Sequence, residues 1–246
     1  MPIWTLHQSQ ASLNHEGLKG KLDLARPAEG LKQLEVDGQP MSQSAILGVE
    51  LEPSANESGD PYVRGCDLVA TYGETSARPS RVQIYWRASG EAPRDRARFL
   101  DLQVSVQTDK LGVPTPIETV SRVAASEAWR LTNASDGTFI QLRFEDGELN
   151  IGPVDGPGCL LFRSADHHLS YVEMIHPADF HGDCLVKSSG ADATLTLRHR
   201  LFPEPLEKGV ILRGQIRAAW LPRDHDQSAA AALYRALLDL PPPLTT

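Results

Sequence analysis

Cysteine is scarce in this chain. Its 246 residues include three, Cys66, Cys159 and Cys184, scattered and without a CxxC spacing. An odd, sparse set excludes a disulfide framework and the strong zinc signatures. Long apolar runs are also missing. No segment approaches the roughly 20 residues a membrane helix needs. The opening Met-Pro-Ile-Trp-Thr-Leu-His-Gln has no basic stretch followed by an apolar core, so no secretory leader is visible and a cytoplasmic protein is expected. Lysine is rare, 6 against 18 arginines, and the net charge is −8. An acidic chain without clustered cations excludes an extended nucleic-acid footprint, and neither a nucleic acid nor a membrane is expected as partner. There is no GxGxxG opening a helix, no P-loop, no GxSxG, no HExxH and no EF-hand loop. Nucleotide-dependent and serine-hydrolase chemistry of the usual kinds are therefore excluded, and no cofactor is expected.

What the chain does have is alternation. Phe99, Asp101, Gln103 and Ser105 alternate with Leu100, Leu102, Val104 and Val106, the period-two pattern of a sheet with one wet face. Similar short runs span 18–24, 31–36, 45–51, 66–72, 82–87, 129–132, 138–144, 148–151, 159–163, 169–175, 184–187 and 193–201. Asp37-Gly38, Ser135-Asp136-Gly137 and Asp146-Gly147 read as hairpin turns between them. Counting the runs gives about 14 to 16 strands, far more than one small sandwich uses. Residues 52–61 form a polar loop, and 78–98, charge-rich over 91–98, reads as a long excursion between strands. Trp4 falls in a terminus expected to fray, while Trp129 and Trp220 read as core.

The chain ends on its longest apolar run, 206–222, one long strand or a bent pair. An alanine-rich helix follows over about 227–239. Asp224 or Asp226 is placed to cap it, and Pro241, Pro242 and Pro243 to stop it. Ala229, Leu233, Ala236, Leu237 and Leu240 share one face, so the helix is expected to cover a sheet edge. A long strand placed last suggests a large antiparallel sheet closed late. The expectation is an all-β, two-sheet antiparallel sandwich over residues 1–246, a single domain with one C-terminal helix.

Candidate chemistry gathers in 166–184, which holds His167, His168, His176 and His181 with Glu173, Asp179 and Asp183. In an extended segment Asp179, His181 and Asp183 point one way and could hold a cation or act as acid and base. The HxxxxH spacing matches no specific metal site and Pro177 and Gly182 interrupt the run, so no metal is assigned. The other reading is a turn whose side chains hydrogen-bond locally. Glu173 sits in Leu-Ser-Tyr-Val-Glu-Met-Ile, apolar on both faces. Burial there either tunes a general base or demands a structural partner such as an arginine. Glu173, His176 and His181 are the catalytic candidates. Two further stretches, 61–68 and 84–87, bring Tyr62, Arg64, Asp67, Tyr85, Trp86 and Arg87 close to Tyr72. Aromatic faces beside charged forks suit sugars, whose ring faces are apolar and whose edges carry hydroxyls. Arg64, Asp67, Tyr72, Trp86 and Arg87 are the candidate binding residues; core packing and surface ion pairs are the competing account of each.

The run 17–52 (Leu-Lys-Gly-Lys-Leu-Asp-Leu, a Pro-Ala-Glu-Gly turn, Leu-Lys-Gln-Leu-Glu-Val-Asp-Gly, then Leu-Gly-Val-Glu-Leu) resembles the start of the galactose-mutarotase-like supersandwiches. The late Glu-Lys-Gly-Val-Ile-Leu-Arg at 207–213 resembles the last strands of related carbohydrate-processing modules. The resemblance implies a supersandwich fold. Mutarotases use a histidine acid and a glutamate base, with an Asn-His motif on a central strand. The one Asn-His here, in Leu13-Asn14-His15, precedes the first strand read above, so no catalytic residue carries over by motif. The expectation is thus a sandwich binding a carbohydrate or similar polyol on its concave sheet. Two alternatives stand beside it: an epimerase-like or lyase-like enzyme with Glu173 as base and His176 or His181 as acid, and a non-catalytic protein-interaction module.

Overall fold

The computed structural model describes residues 2–51, 59–88, 98–144, 147–188 and 194–240. The loop expected at 52–61 lies outside them up to residue 58; so do most of the charge-rich 91–98 stretch, Asp146, and the three prolines. Along the chain the strands are β1 (Trp4–His7), β2 (Gln10–His15), β3 (Leu18–Asp23), β4 (Lys32–Val36), β5 (Gln39–Pro40) and β6 (Ala45–Glu50). Next come β7 (Gly59–Arg64), β8 (Asp67–Tyr72), β9 (Arg81–Ala88), β10 (Arg98–Gln107), β11 (Ile117–Ala124), β12 (Glu127–Asn133) and β13 (Thr138–Gln141). The last are β14 (Glu148–Ile151), β15 (Cys159–Arg163), β16 (Leu169–Ile175), β17 (Asp183–Lys187), β18 (Thr194–Leu201) and β19 (Ile211–Pro222), followed by helix α1 (Asp226–Leu238).

These strands make three antiparallel sheets. One has nine strands in the order β13-β12-β15-β16-β19-β10-β9-β8-β7. The others are β1-β2-β3-β4-β5 and β14-β17-β18-β11-β6. A bridge between Leu31 and Ile46 ties the two smaller sheets side by side. Together they face the large sheet. Three side chains cross the gap to backbone carbonyls: Trp4 Nε1 to Cys66 O at 3.0 Å, Tyr72 Oη to Leu24 O at 2.8 Å, and Trp86 Nε1 to Leu47 O at 3.1 Å. One buried apolar cluster runs from Trp4 to Trp220 through all three sheets. The architecture is the expected all-β sandwich with a single C-terminal helix. No helix of the described residues is long and apolar enough to cross a membrane.

Alternation explains the layering. On β10 Leu100, Leu102, Val104 and Val106 are buried in the sandwich, while Asp101, Gln103 and Ser105 take the opposite face. The late strand β19 sits at the centre of the large sheet, paired with β10 over ten residues and with β16 over seven. The chain's last strand therefore closes its largest sheet. At the β4–β5 turn Asp37 and Gly38 both have positive φ, 49° and 83°, the geometry for which Asp-Gly is selected.

Several details differ from the sequence reading. Trp4 is not frayed: it lies 2% exposed in β1, held by its bond to Cys66. Asn14 and His15 belong to β2 rather than preceding the first strand. The 138–141 and 148–151 strands do not form a hairpin, since they sit in different sheets. The helix does not simply guard an edge. It packs Ala230, Ala231, Leu233, Tyr234 and Leu237 onto Val172, Met174, Ala219 and Leu221 of the large sheet's outer face. Asp226 is not used as expected either. The cap residue is His225 in the left-handed region, without a side-chain cap bond. The Asp226 carboxylate is instead gripped by Arg163 at 2.7 and 2.9 Å and by the Ser170 hydroxyl at 2.5 Å.

Candidate functional site

Among the described residues, two polar clusters involve the residues singled out above, one inside the sandwich and one on its outer surface. The inner one is built by alternation on three strands. Glu173 faces inward from β16, and His199 and Asp183 face inward as a register pair on β18 and β17. His199 Nε2 lies 3.0 Å from Glu173 Oε1, and Nδ1 lies 2.5 Å from Asp183 Oδ1. The Tyr171 hydroxyl donates to Glu173 Oε2. Glu173 and His199 are each 1% exposed and Asp183 is 4% exposed. Burial on its own would drive the imidazolium pKa down. The charges and hydrogen bonds of Asp183 and Glu173 outweigh it and raise His199 to about 10. Burial pushes the Asp183 carboxyl up, against the pull of His199. It pushes the Tyr171 phenol far up, helped by the Glu173 charge. The result is a protonated imidazole held between two acidic side chains, joining the large sheet to the sheet of β17 and β18.

The outer place is the half of the large sheet that α1 leaves uncovered. Register lines its outward side chains up in rows across five strands. One row reads Arg64, Asp67, Arg87, Asp101, Arg217. The next reads Tyr62, Val69, Tyr85, Gln103, Gln215, and a third reads Thr71, Gln83, Ser105, Arg213. The first row is knitted by two forks. Arg87 grips Asp67 at 2.6 and 3.0 Å, and Arg217 grips Asp101 at 2.7 and 2.8 Å. Arg64 adds a looser contact to Asp67 at 3.8 Å. The Arg217 guanidinium also lies 4.6 Å from the centre of the Phe99 ring. In the other rows the Tyr85 hydroxyl donates to Gln83 Oε1 at 2.5 Å, and Gln83 Nε2 donates to Thr71 at 3.0 Å. Burial raises the Tyr85 phenol, with the charges of Arg213 and Arg64 acting in the opposite sense from either flank.

Of the residues singled out in the sequence, Arg64, Asp67 and Arg87 do come together, in one row. Tyr72 and Trp86 do not join them. Both are fully buried on the inner face of the same strands, because they occupy the alternate positions. Glu173 is sealed inside, with the thickness of the sheet between it and the outer rows. Its partner is a histidine rather than the arginine a structural pair suggested. His176 and His181 sit on the segment between β16 and β17. There the Asp179 Oδ2 accepts the backbone N–H of Gln215 at 3.1 Å. Burial raises the Asp179 carboxyl, and the two histidines pull it down. Asp179, His181 and Asp183 do not converge as the extended reading had them, since Asp183 turns inward to His199 while His181 is exposed. Among the described residues no group of three or more acidic, histidine or cysteine side chains is arranged to hold a metal.

The sequence reading missed His199, Arg213, Gln215 and Arg217. His199 carried a signal: Leu195, Leu197, His199 and Leu201 alternate on one face, so a histidine sat on an apolar stripe. Two surface depressions lie off the rows. One, of about 410 Å³, is lined by Asp136, Arg163, Arg223, His225, Asp226 and Arg235 along α1. Another, of about 280 Å³, is lined by Glu118, Asn150, His181, Asp183, Arg198 and Arg200.

No family model matches the sequence, and no curated protein matches it. Solved structures do. A galactose mutarotase-like protein from Lactobacillus casei ATCC 334 superposes with a TM-score of 0.55 at 9% identity, over 86% of this chain and 99% of that one. A proposed aldose 1-epimerase from Klebsiella pneumoniae subsp. pneumoniae MGH 78578 gives 0.50 at 11% identity, over 93% of this chain and 83% of that one. An α-N-acetylgalactosaminidase from Bifidobacterium bifidum, solved with GalNAc, gives 0.53 at 10% identity, over 96% of this chain but 38% of that one. At these identities the likeness is one of fold, and it bears out the resemblance to the galactose-mutarotase-like supersandwich at that level.

Proposed function

We propose that the uncovered half of the outer sheet face binds a carbohydrate or a similar polyol. The observation that carries this reading is the adjacency of the first two rows. Tyr62 and Tyr85 offer ring faces to apolar C–H surfaces, and the arginine–aspartate forks beside them offer paired donors and acceptors to hydroxyls. The forks are held by each other before any ligand arrives, which lowers the ordering cost of binding. The fold neighbours support the reading through their names: one was solved with GalNAc, and another is mutarotase-like. Calorimetric titration with a panel of neutral and acidic monosaccharides tests it. Binding is expected, and Tyr85→Ala is expected to weaken it at least tenfold with little change in melting temperature, because the ring is half-exposed. A panel without a binder sinks the reading.

A second reading, sugar isomerisation, is favoured by Asp179. It ends the second row at Gln215, and burial raises its carboxyl above the ordinary value, the direction a proton donor needs. Asp179 would act as the acid and His176 or His181 as the base, in place of the sealed Glu173. Anomer interconversion followed by proton NMR should then accelerate and be lost in Asp179→Asn. Unchanged spontaneous rates would rule this out while leaving binding intact.

A further inference from the structure

We infer that the ligand of this face is an anionic polyol, one carrying a carboxylate or phosphate, and that Arg213 receives its charge. The inference rests on the polyol-binding reading above and names the class of ligand. On β8, β9, β10 and β19 the outward positions hold four arginines (Arg81, Arg87, Arg213 and Arg217) and two acids, Asp67 and Asp101. Both acids are consumed by the forks of Arg87 and Arg217. Arg81 and Arg213 are left over, and among the described residues neither has an ion-pair partner. An excess of cations here is out of keeping with a chain of net charge −8. An excess of one sign confined to one face steers and holds the opposite sign.

Arg213 is the more telling of the two. Its Nε is shut off from solvent and has no hydrogen-bond partner. A buried donor of a charged group left unpaired is costly, so such a group in a native fold calls for an explanation. Its register neighbour across β10 is Ser105, a short neutral side chain that leaves the fork without a carboxylate. The guanidinium also lies close enough to Tyr85 for its charge to act on the phenol. A ring resting on Tyr85 would therefore bring a substituent at its edge to Arg213. A planar fork suits a carboxylate or phosphate oxygen pair better than a single hydroxyl.

The test titrates the protein with glucose and galactose, with glucuronate and galacturonate, with glucose 6-phosphate, and with acetate and inorganic phosphate alone. At least one acidic sugar should bind tenfold or more tighter than its neutral parent, and whether a uronate or the phosphate does so identifies the anion. Acetate and phosphate alone should bind far more weakly. Arg213→Gln should erase the preference and leave neutral-sugar binding in place; Arg213→Lys should keep part of it. If Arg213→Gln does not fold, the preference of the unmodified protein must still shrink as salt is raised, since screening weakens an exposed charge contact. Equal binding of neutral and acidic sugars, or a preference untouched by Arg213→Gln, overturns the inference while the platform reading survives. Simple anions binding as tightly as sugar acids overturn it too. Failure of every sugar to bind brings both readings down together.

Discussion

Two arrays of alternating acid and base occupy opposite sides of the same large sheet. Inside, Glu173, His199 and Asp183 join two layers in a dry interior. Outside, Asp67, Arg87, Asp101 and Arg217 join neighbouring strands of one layer. Their chemistry is alike and their surroundings are not. The inner groups are almost wholly out of water, Glu173 and His199 at 1% exposure and Asp183 at 4% on the wall of the depression beside Arg198, so each depends on the others. The outer array is graded. The Asp101–Arg217 pair is nearly covered, whereas the Arg87 side chain is 44% exposed and reachable from solvent. The difference teaches that a perturbed acid–base cluster marks a functional site only when something from outside can touch it. The outer rows can be reached from solvent, and Glu173 cannot.

The sharpest way to break the comparison is to remove one member of each array. His199→Ala leaves two buried carboxylates facing each other, and unfolding by urea should show a loss of about 3–5 kcal/mol, the cost of breaking a buried pair. A loss under about 1 kcal/mol would mean the interior is wetter than its burial indicates.

The inner array should also respond to pH. The folded His199 pKa is raised to about 10, above the unfolded value of about 6.5. Its contribution is complete below the unfolded value. It declines as pH rises through the window and is gone above about 10, with a slope of at most about 1.4 kcal/mol per pH unit. Stability measured across that window should fall in the native protein, and more gently in His199→Gln. Parallel curves would remove the histidinium from the account.

Smaller effects separate the two outer forks. Arg217→Ala strands Asp101 near cover and should cost about 2 kcal/mol. Arg87→Ala leaves the buried Asp67 carboxylate with only the looser Arg64 contact and should cost about 1.5 kcal/mol, falling with added salt because the guanidinium side of the pair is open to solvent. Arg217 and Arg87 variants of equal stability would erase the gradient drawn above. At the least disruptive end, Tyr72→Phe loses one inward hydrogen bond to Leu24 and should cost about 1 kcal/mol without altering sugar affinity. A change in affinity would place Tyr72 back in the binding site.

Alternation along the chain was enough to determine much of this protein. Phe99 to Gln107 displayed a wet and a dry face, Asp37-Gly38 displayed its turn, and the late strand announced a sheet closed by the C-terminus. The same pattern placed Arg64, Asp67 and Arg87 on strands where they could share a face. It did not tell which of Tyr72, Tyr85 and Trp86 faced outward, because a run flanked by aromatics on both sides reads the same from either face. Nor did it pair Glu173 with His199, which lies 26 residues further on. Only the tertiary structure decided those matters. Side-chain parity is local and written in the sequence, but partners across strands and between layers come from register and packing, which bring together residues that no local pattern links.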